Sequence, residues 1–198
     1  MVPKMTDIFA GPLGSIPLPP EDQKGLRLSW ITTRQELNEA EQLNILAGRA
    51  WALRSRVDLT AERYLLRLHQ RMFGDVWSWA GKLRVRETNI GVLPHEIPTR
   101  LKQFLADVAY WLGHQTYAPD ELSARFHHGL VLIHPFTNGN GRHTRLAADL
   151  MCRQLGQDAF TWGQHSLDSA GATRQAYLAA LRAADQHDFG PLLAFVRS

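Results

Sequence analysis

Residues 134–145 read His-Pro-Phe-Thr-Asn-Gly-Asn-Gly-Arg-His-Thr-Arg, and this run gathers three kinds of chemistry. His134 precedes Pro135, and a residue before proline is pushed out of the helical region. Its imidazole is then held at a loop mouth, where it can act as a base near neutral pH. Gly139-Asn140-Gly141 permits a tight turn with unhindered N–H groups that leads into a helix N-terminus, a ready anion site. Arg142 and Arg145 fall at i, i+3 on the first turn of that helix, so both guanidinium groups can reach one anion. Taken singly, each part is ordinary: a packed histidine, a turn, two solvated arginines. Their coincidence in twelve residues describes a phosphate-handling site.

The elements around this run are predominantly helical. Thr33 can cap a helix with Glu36 closing a capping box, and Leu37, Ala40, Glu41, Asn44 and Ile45 follow at helical spacing. A second helix follows Asp58 or Thr60, with Tyr64, Leu65, Leu68 and Met72 on one face. Its Arg63, Arg67 and Arg71 make a basic i, i+4 stripe, which reads as a solvated face. Helices are also predicted over 99–113, from Pro119 to about Ile133, over 140–155, and over 171–185. Between them, Leu83-Arg84-Val85-Arg86-Glu87 alternates and Thr88-Asn89-Ile90-Gly91 is turn-like, which predicts a short β-hairpin. Residues 1–29 hold five of the ten prolines and read as an extended arm ahead of one domain over 30–198.

Composition narrows the class. The chain has 198 residues, 44% of them hydrophobic, and a formal charge of +3. It is long enough to bury a core without disulfides or structural metal. Four of its 22 basic residues are Lys and the rest are Arg, the residue of bidentate phosphate contacts. The charge is too small to imply direct nucleic-acid binding. The single Cys152 excludes an intramolecular disulfide and reads as a buried packer. His127 and His128 are adjacent and cannot share a helical face, so a zinc cluster with His134 and His143 is not expected. No apolar run is long enough for a membrane span and no signal peptide is evident, which gives a cytoplasmic expectation.

The run His134-Pro135-Phe136-x-x-Gly139-Asn140-Gly141-Arg142-x-x-Arg145 resembles the signature of Fic (filamentation induced by cAMP) domain proteins. Residues 73–84, Phe-Gly-Asp-Val-Trp-Ser-Trp-Ala-Gly-Lys-Leu-Arg, are similar to the family segment ahead of its flap. Residues 31–39 resemble the subgroup called mobile mystery protein B. The resemblance implies a mainly α, Fic-type helical bundle with a small β-hairpin flap. It further implies a nucleotidyltransferase that moves AMP from ATP onto a Ser, Thr or Tyr hydroxyl of a protein target. His134 would deprotonate the hydroxyl, and Gly139, Asn140, Gly141, Arg142 and Arg145 would hold the phosphates. Arg86, Thr88, Asn89, Ile90, Gly91 and Val92 would dock the target by strand addition. Asn138 stands where AMP-transferring members carry an Asp or Glu that binds Mg²⁺, so it is at most a weak metal ligand. That departure keeps an alternative open, a degenerate Fic module that binds nucleotide or a partner protein without catalysis. The subgroup resemblance implies a toxin–antitoxin-like pairing with a helix-turn-helix protein. In Fic proteins an inhibitory motif places a Glu against the second motif arginine. Glu36, four residues after Thr32, is the candidate here, beside its simpler role in the capping box.

Overall fold

The computed structural model describes residues 8–9, 18–164 and 171–198. Among them the chain is helical: α1 (Pro20–Gln23), α2 (Arg34–Arg54), α3 (Glu62–Phe73), α4 (Ile97–His114), α5 (Pro119–Ile133), α6 (Asn140–Gln154), α7 (Ala172–Asp185) and α8 (Gly190–Val196). Single 3₁₀ turns lie at Pro94–Glu96 and Trp162–Gln164. The expected capping box starts α2: the Thr33 side chain accepts from the Glu36 N–H at 3.2 Å, while the Glu36 carboxylate accepts from the Thr33 N–H at 2.9 Å. Pro119 opens α5, with Asp120 and Glu121 in its first turn complementing the helix dipole.

The expected β-hairpin is absent. Among the described residues the β pairings are two isolated bridges, Leu26 with Trp77 and Leu83 with Phe136. The sequence alternation at 83–86 does not become an alternation of burial, since Val85 and Arg86 are both exposed. The Arg84 side chain goes inward, at 3% exposed, and Val85 points out, at 85% exposed. Arg84 then donates to the carbonyls of Arg86 and Val92, acceptors that a hairpin ladder would otherwise engage. Residues 85–93 therefore form a loop held by a guanidinium.

Two apolar cores flank the central pair α5 and α6. The larger joins α2, α3 and α4 to one side, with Leu37, Leu65, Leu68, Met72, Leu101, Phe126, Leu130 and Met151 buried in it. The described parts of the N-terminal arm close it, with Ile8, Phe9 and Leu18 buried and the Phe9 ring 6.2 Å from that of Trp77. Pro3, Gly11, Pro12, Gly14 and Pro17 of the arm lie outside the described residues. The smaller core joins α7 and α8 to the opposite side, around Cys152, Phe160, Tyr177, Leu192 and Val196. Cys152 is buried there, and burial pushes its thiol up to about 11. No described helix is long and apolar enough to cross a membrane. The loop joining α5 to α6 begins at His134 and leads into Asn140, between the helices that the two cores flank.

Candidate active site

His134 terminates α5. Its N–H donates to the Leu130 carbonyl at 3.0 Å, and the residue then turns left-handed, at φ 51° and ψ 60°. A non-glycine residue adopts that conformation only when its surroundings impose it. Three contacts do so here. Arg84 Nε donates to the His134 carbonyl at 2.7 Å, and the Arg84 N–H donates to the Pro135 carbonyl at 2.9 Å. Gly91 lies so close that a Cβ there would meet His134 Cβ at 2.5 Å, and with φ at +94° the position suits glycine. The His134 ring is 8% exposed. Burial, assisted by the Arg84 guanidinium, pushes its pKa down to about 4. The imidazole is therefore neutral at pH 7, the form in which a general base acts.

The anion-binding half is built from α6. Gly139, at φ 76°, is its N-cap, and no side chain caps the helix. A Cβ on Gly139 would lie 2.6 Å from the Phe73 ring. The first-turn N–H groups are thus left for a ligand. The Asn140 side chain does not share this role. Its amide is buried and ties the loop to itself, accepting from the Phe136 N–H at 2.9 Å and donating to the Phe136 carbonyl at 2.7 Å. Behind the loop, buried His69 accepts from the Gly81 N–H at 2.9 Å through Nδ1, which fixes the proton on Nε2, 3.0 Å from the Asn138 carbonyl. Burial holds this imidazole well below the ordinary histidine range, so the donor is the neutral tautomer.

A cleft of about 670 Å³ contains His134, Asn138, Gly139, Gly141, Arg142 and Arg145. It also contains Ile90 and Gly91, whereas Arg86, Thr88, Asn89 and Val92 do not line it. Arg86 instead pairs with Glu21 of α1 at 2.6 Å on the surface. Arg145 lies beside the Tyr177 hydroxyl of α7, which is 2.9 Å from His127 Nε2. The opposite wall carries Tyr177 and Leu181, together with Arg174 and Arg182, which the sequence did not single out.

The sequence also did not assign Glu41. This buried α2 carboxylate accepts from Arg142 Nη1 at 2.7 Å and from Trp77 Nε1 at 2.7 Å. A carboxylate thus meets a motif arginine, but it is Glu41 on Arg142. Glu36 sits at the start of α2 with one oxygen accepting from the backbone N–H groups of Thr32 and Thr33. The signal available was a polar side chain within the apolar stripe Leu37, Glu41, Asn44, Gly48, Ala52, all of which are buried.

The residues do not form a Mg²⁺ site of their own. Asn138 Oδ1 accepts from the Gly139 N–H at 2.5 Å. Of the acidic side chains in the cleft, Glu41 is paired with Arg142 and Asp185 with His128 at 2.8 Å. No group of three or more His, Cys, Asp or Glu could hold a metal among the described residues.

The sequence matches the Fic/DOC family over residues 58–152, which supports a Fic/DOC domain in this chain. The relatives are protein adenylyltransferases by name. The chain is 32% identical over 136 residues to protein adenylyltransferase fic-1 of Caenorhabditis briggsae, a match that covers 67% of this chain and 25% of that protein. It is 28% identical over 178 residues to a probable protein adenylyltransferase, y4lH, of Sinorhizobium fredii, covering 84% of this chain and 86% of the relative. The solved structure of Fic-1 residues 134–508 from Caenorhabditis elegans superposes with a TM-score of 0.61 at 28% identity. That superposition covers 88% of this chain and 56% of the other. The chain therefore spans about a quarter of the length of the nematode relatives.

Proposed function

We propose that this protein is a nucleotidyltransferase that moves AMP from ATP to a Ser, Thr or Tyr hydroxyl of a protein target. The observation that carries the reading is the meeting, in one cleft, of a neutral His134 with the uncapped N-terminus of α6 and with Arg142 and Arg145. In this scheme His134 takes the proton of the target hydroxyl as its oxygen attacks the α-phosphorus. The bond from the α-phosphorus to the bridging oxygen breaks and pyrophosphate leaves. The α6 N–H groups, Arg142 and Arg145 stabilise the charge that gathers on the phosphates. Exposed Ile90 and Leu132 at the cleft mouth offer apolar contact to an extended target segment. ATP as donor and AMPylation as outcome follow from the relatives' names.

A second reading is favoured by one observation. Asn138 is neutral and its oxygen is turned onto the Gly139 N–H, so the chain would bind nucleotide without turning it over. The helix-turn-helix partner rests on the subgroup resemblance alone. One experiment separates enzyme from binding module: incubation with α-labelled ATP, divalent metal and lysate, beside His134→Ala. Label transfer that is lost in His134→Ala is the expected result. Absence of transfer from all four nucleotides, even in Asn138→Asp and Asn138→Glu, would leave the binding module as the function.

A further inference from the structure

A second cavity, of about 570 Å³, shares no lining residue with the cleft. Its walls are α2 and α3, and its end is closed by the segment carrying Arg27, whose N–H donates to the Val76 carbonyl at 2.8 Å. Its volume lies within the range of small-molecule sites. Three guanidinium groups line it, those of Arg27, Arg67 and Arg71.

The basic stripe on α3 reads from sequence as a solvated face, but its surroundings differ from those of other arginines in this chain. Arg100 and Arg125 are each neutralised at i, i−4, by Glu96 at 3.7 Å and Glu121 at 2.8 Å. Arg71 has Arg67 at i, i−4, and its acidic neighbour one turn on, at i, i+4, is Asp75. That carboxylate also lines the cavity but is committed to Asn44, accepting from its Nδ2 at 3.0 Å, while the Asp75 N–H donates back to Asn44 Oδ1 at 2.9 Å. None of Arg27, Arg67 and Arg71 makes an ion pair with a described residue.

Two of the three heads are also held in place. The guanidinium carbons of Arg67 and Arg71 each lie 5.5 Å from the Trp51 ring centroid. Trp51 is itself fixed by stacking on Tyr64, with ring centroids 5.7 Å apart. A guanidinium anchored on an aromatic ring loses less freedom when it binds. Arg27 arrives from a different part of the chain, so the basic groups come from two separate segments rather than one helix face. Three positive heads against one committed carboxylate leave a surplus that a phosphate dianion would balance.

We infer that this cavity is a second anion site, which takes a phosphate-bearing small molecule through bidentate contacts from Arg27, Arg67 and Arg71. The site is independent of the catalytic reading, and its test keeps the two apart. The full chain carrying Arg142→Ala and Arg145→Ala, which weakens the first cleft, is titrated calorimetrically with inorganic tripolyphosphate at constant ionic strength. Saturable binding at one equivalent is expected, with affinity reduced at least tenfold by Arg67→Gln with Arg71→Gln. Arg27→Gln, which leaves the Trp51 contacts in place, should weaken binding as well and guards against misfolding of the double variant. Absence of saturable binding, or equal binding by all variants, would overturn the site. Tighter binding of a single-stranded oligonucleotide with a steep salt dependence would overturn it in favour of a nucleic-acid track.

Discussion

At the scale of single residues, two α2 glutamates separate positions that sequence spacing alone leaves confused. Glu41 competes with any phosphate for Arg142, because the two are joined at 2.7 Å in a partly buried pair. Glu41→Ala should therefore tighten ATP binding by about tenfold, the equivalent of ~1.4 kcal/mol. Glu36→Ala should leave that affinity unchanged and cost about 1 kcal/mol of stability by opening the α2 capping box. Parallel calorimetry and thermal melts of the two variants check both statements. Arg84 is the third residue of consequence. It is a positioning group, since it holds the His134, Arg86 and Val92 carbonyls without itself lining the cleft. Arg84→Lys cannot span three acceptors, so residues 85–93 should become sensitive to brief proteolysis and any nucleotide transfer should fall. Undiminished protease resistance in the variant would remove this role. His134 and the two motif arginines were legible because their types and spacing carry chemistry directly. Glu41 and Arg84 were not, because each acts through contacts some 50 to 100 residues away in sequence.

At the scale of elements, the N-terminus of α6 divides its glycines by function. Gly139 has φ at +76° and the Phe73 ring behind it, whereas an added Cβ on Gly141 meets nothing closer than Arg145 Nη1 at 3.5 Å. Gly139→Ala should destabilise the fold by at least ~1–2 kcal/mol through the left-handed conformation alone. Gly141→Ala should melt like the parent and lose affinity for nucleotide, because its methyl group faces the phosphate side. Denaturant melts with ATP titration distinguish the two. Most helices were legible from apolar periodicity and capping residues, as with Thr33 and Pro119. Three elements were not. The four residues of α1 and seven of α8 are too short to show a period. Residues 83–87 alternate in sequence, but the buried residue there is Arg84, and patterning rules assign the inward place to an apolar side chain.

At the scale of the whole molecule, buried neutral histidines set the response to acid. Burial pushes His127 to about 3 and His134 and His143 to about 4, and holds His69 well below the usual range. In the unfolded chain each would titrate near the ordinary value of about 6.5. Between those limits the unfolded state binds more protons, so stability is complete above about pH 6.5 and is lost as pH falls toward 4. Asp149, raised to about 6 by burial, acts in the opposite sense and weakens the fold as pH rises through that value. Urea melts between pH 4 and 8 should show the histidine effect dominating below pH 6. The two cores on either side of α5 and α6 carry a separate consequence. The cleft takes Leu37 and Trp77 from the larger core and Tyr177 and Leu181 from the smaller. Amide exchange in α7 and α8 should then report a local opening of lower free energy than global unfolding. A nucleotide bridging the cleft would close that gap, making the C-terminal helices the part of the chain whose order depends on cellular nucleotide supply.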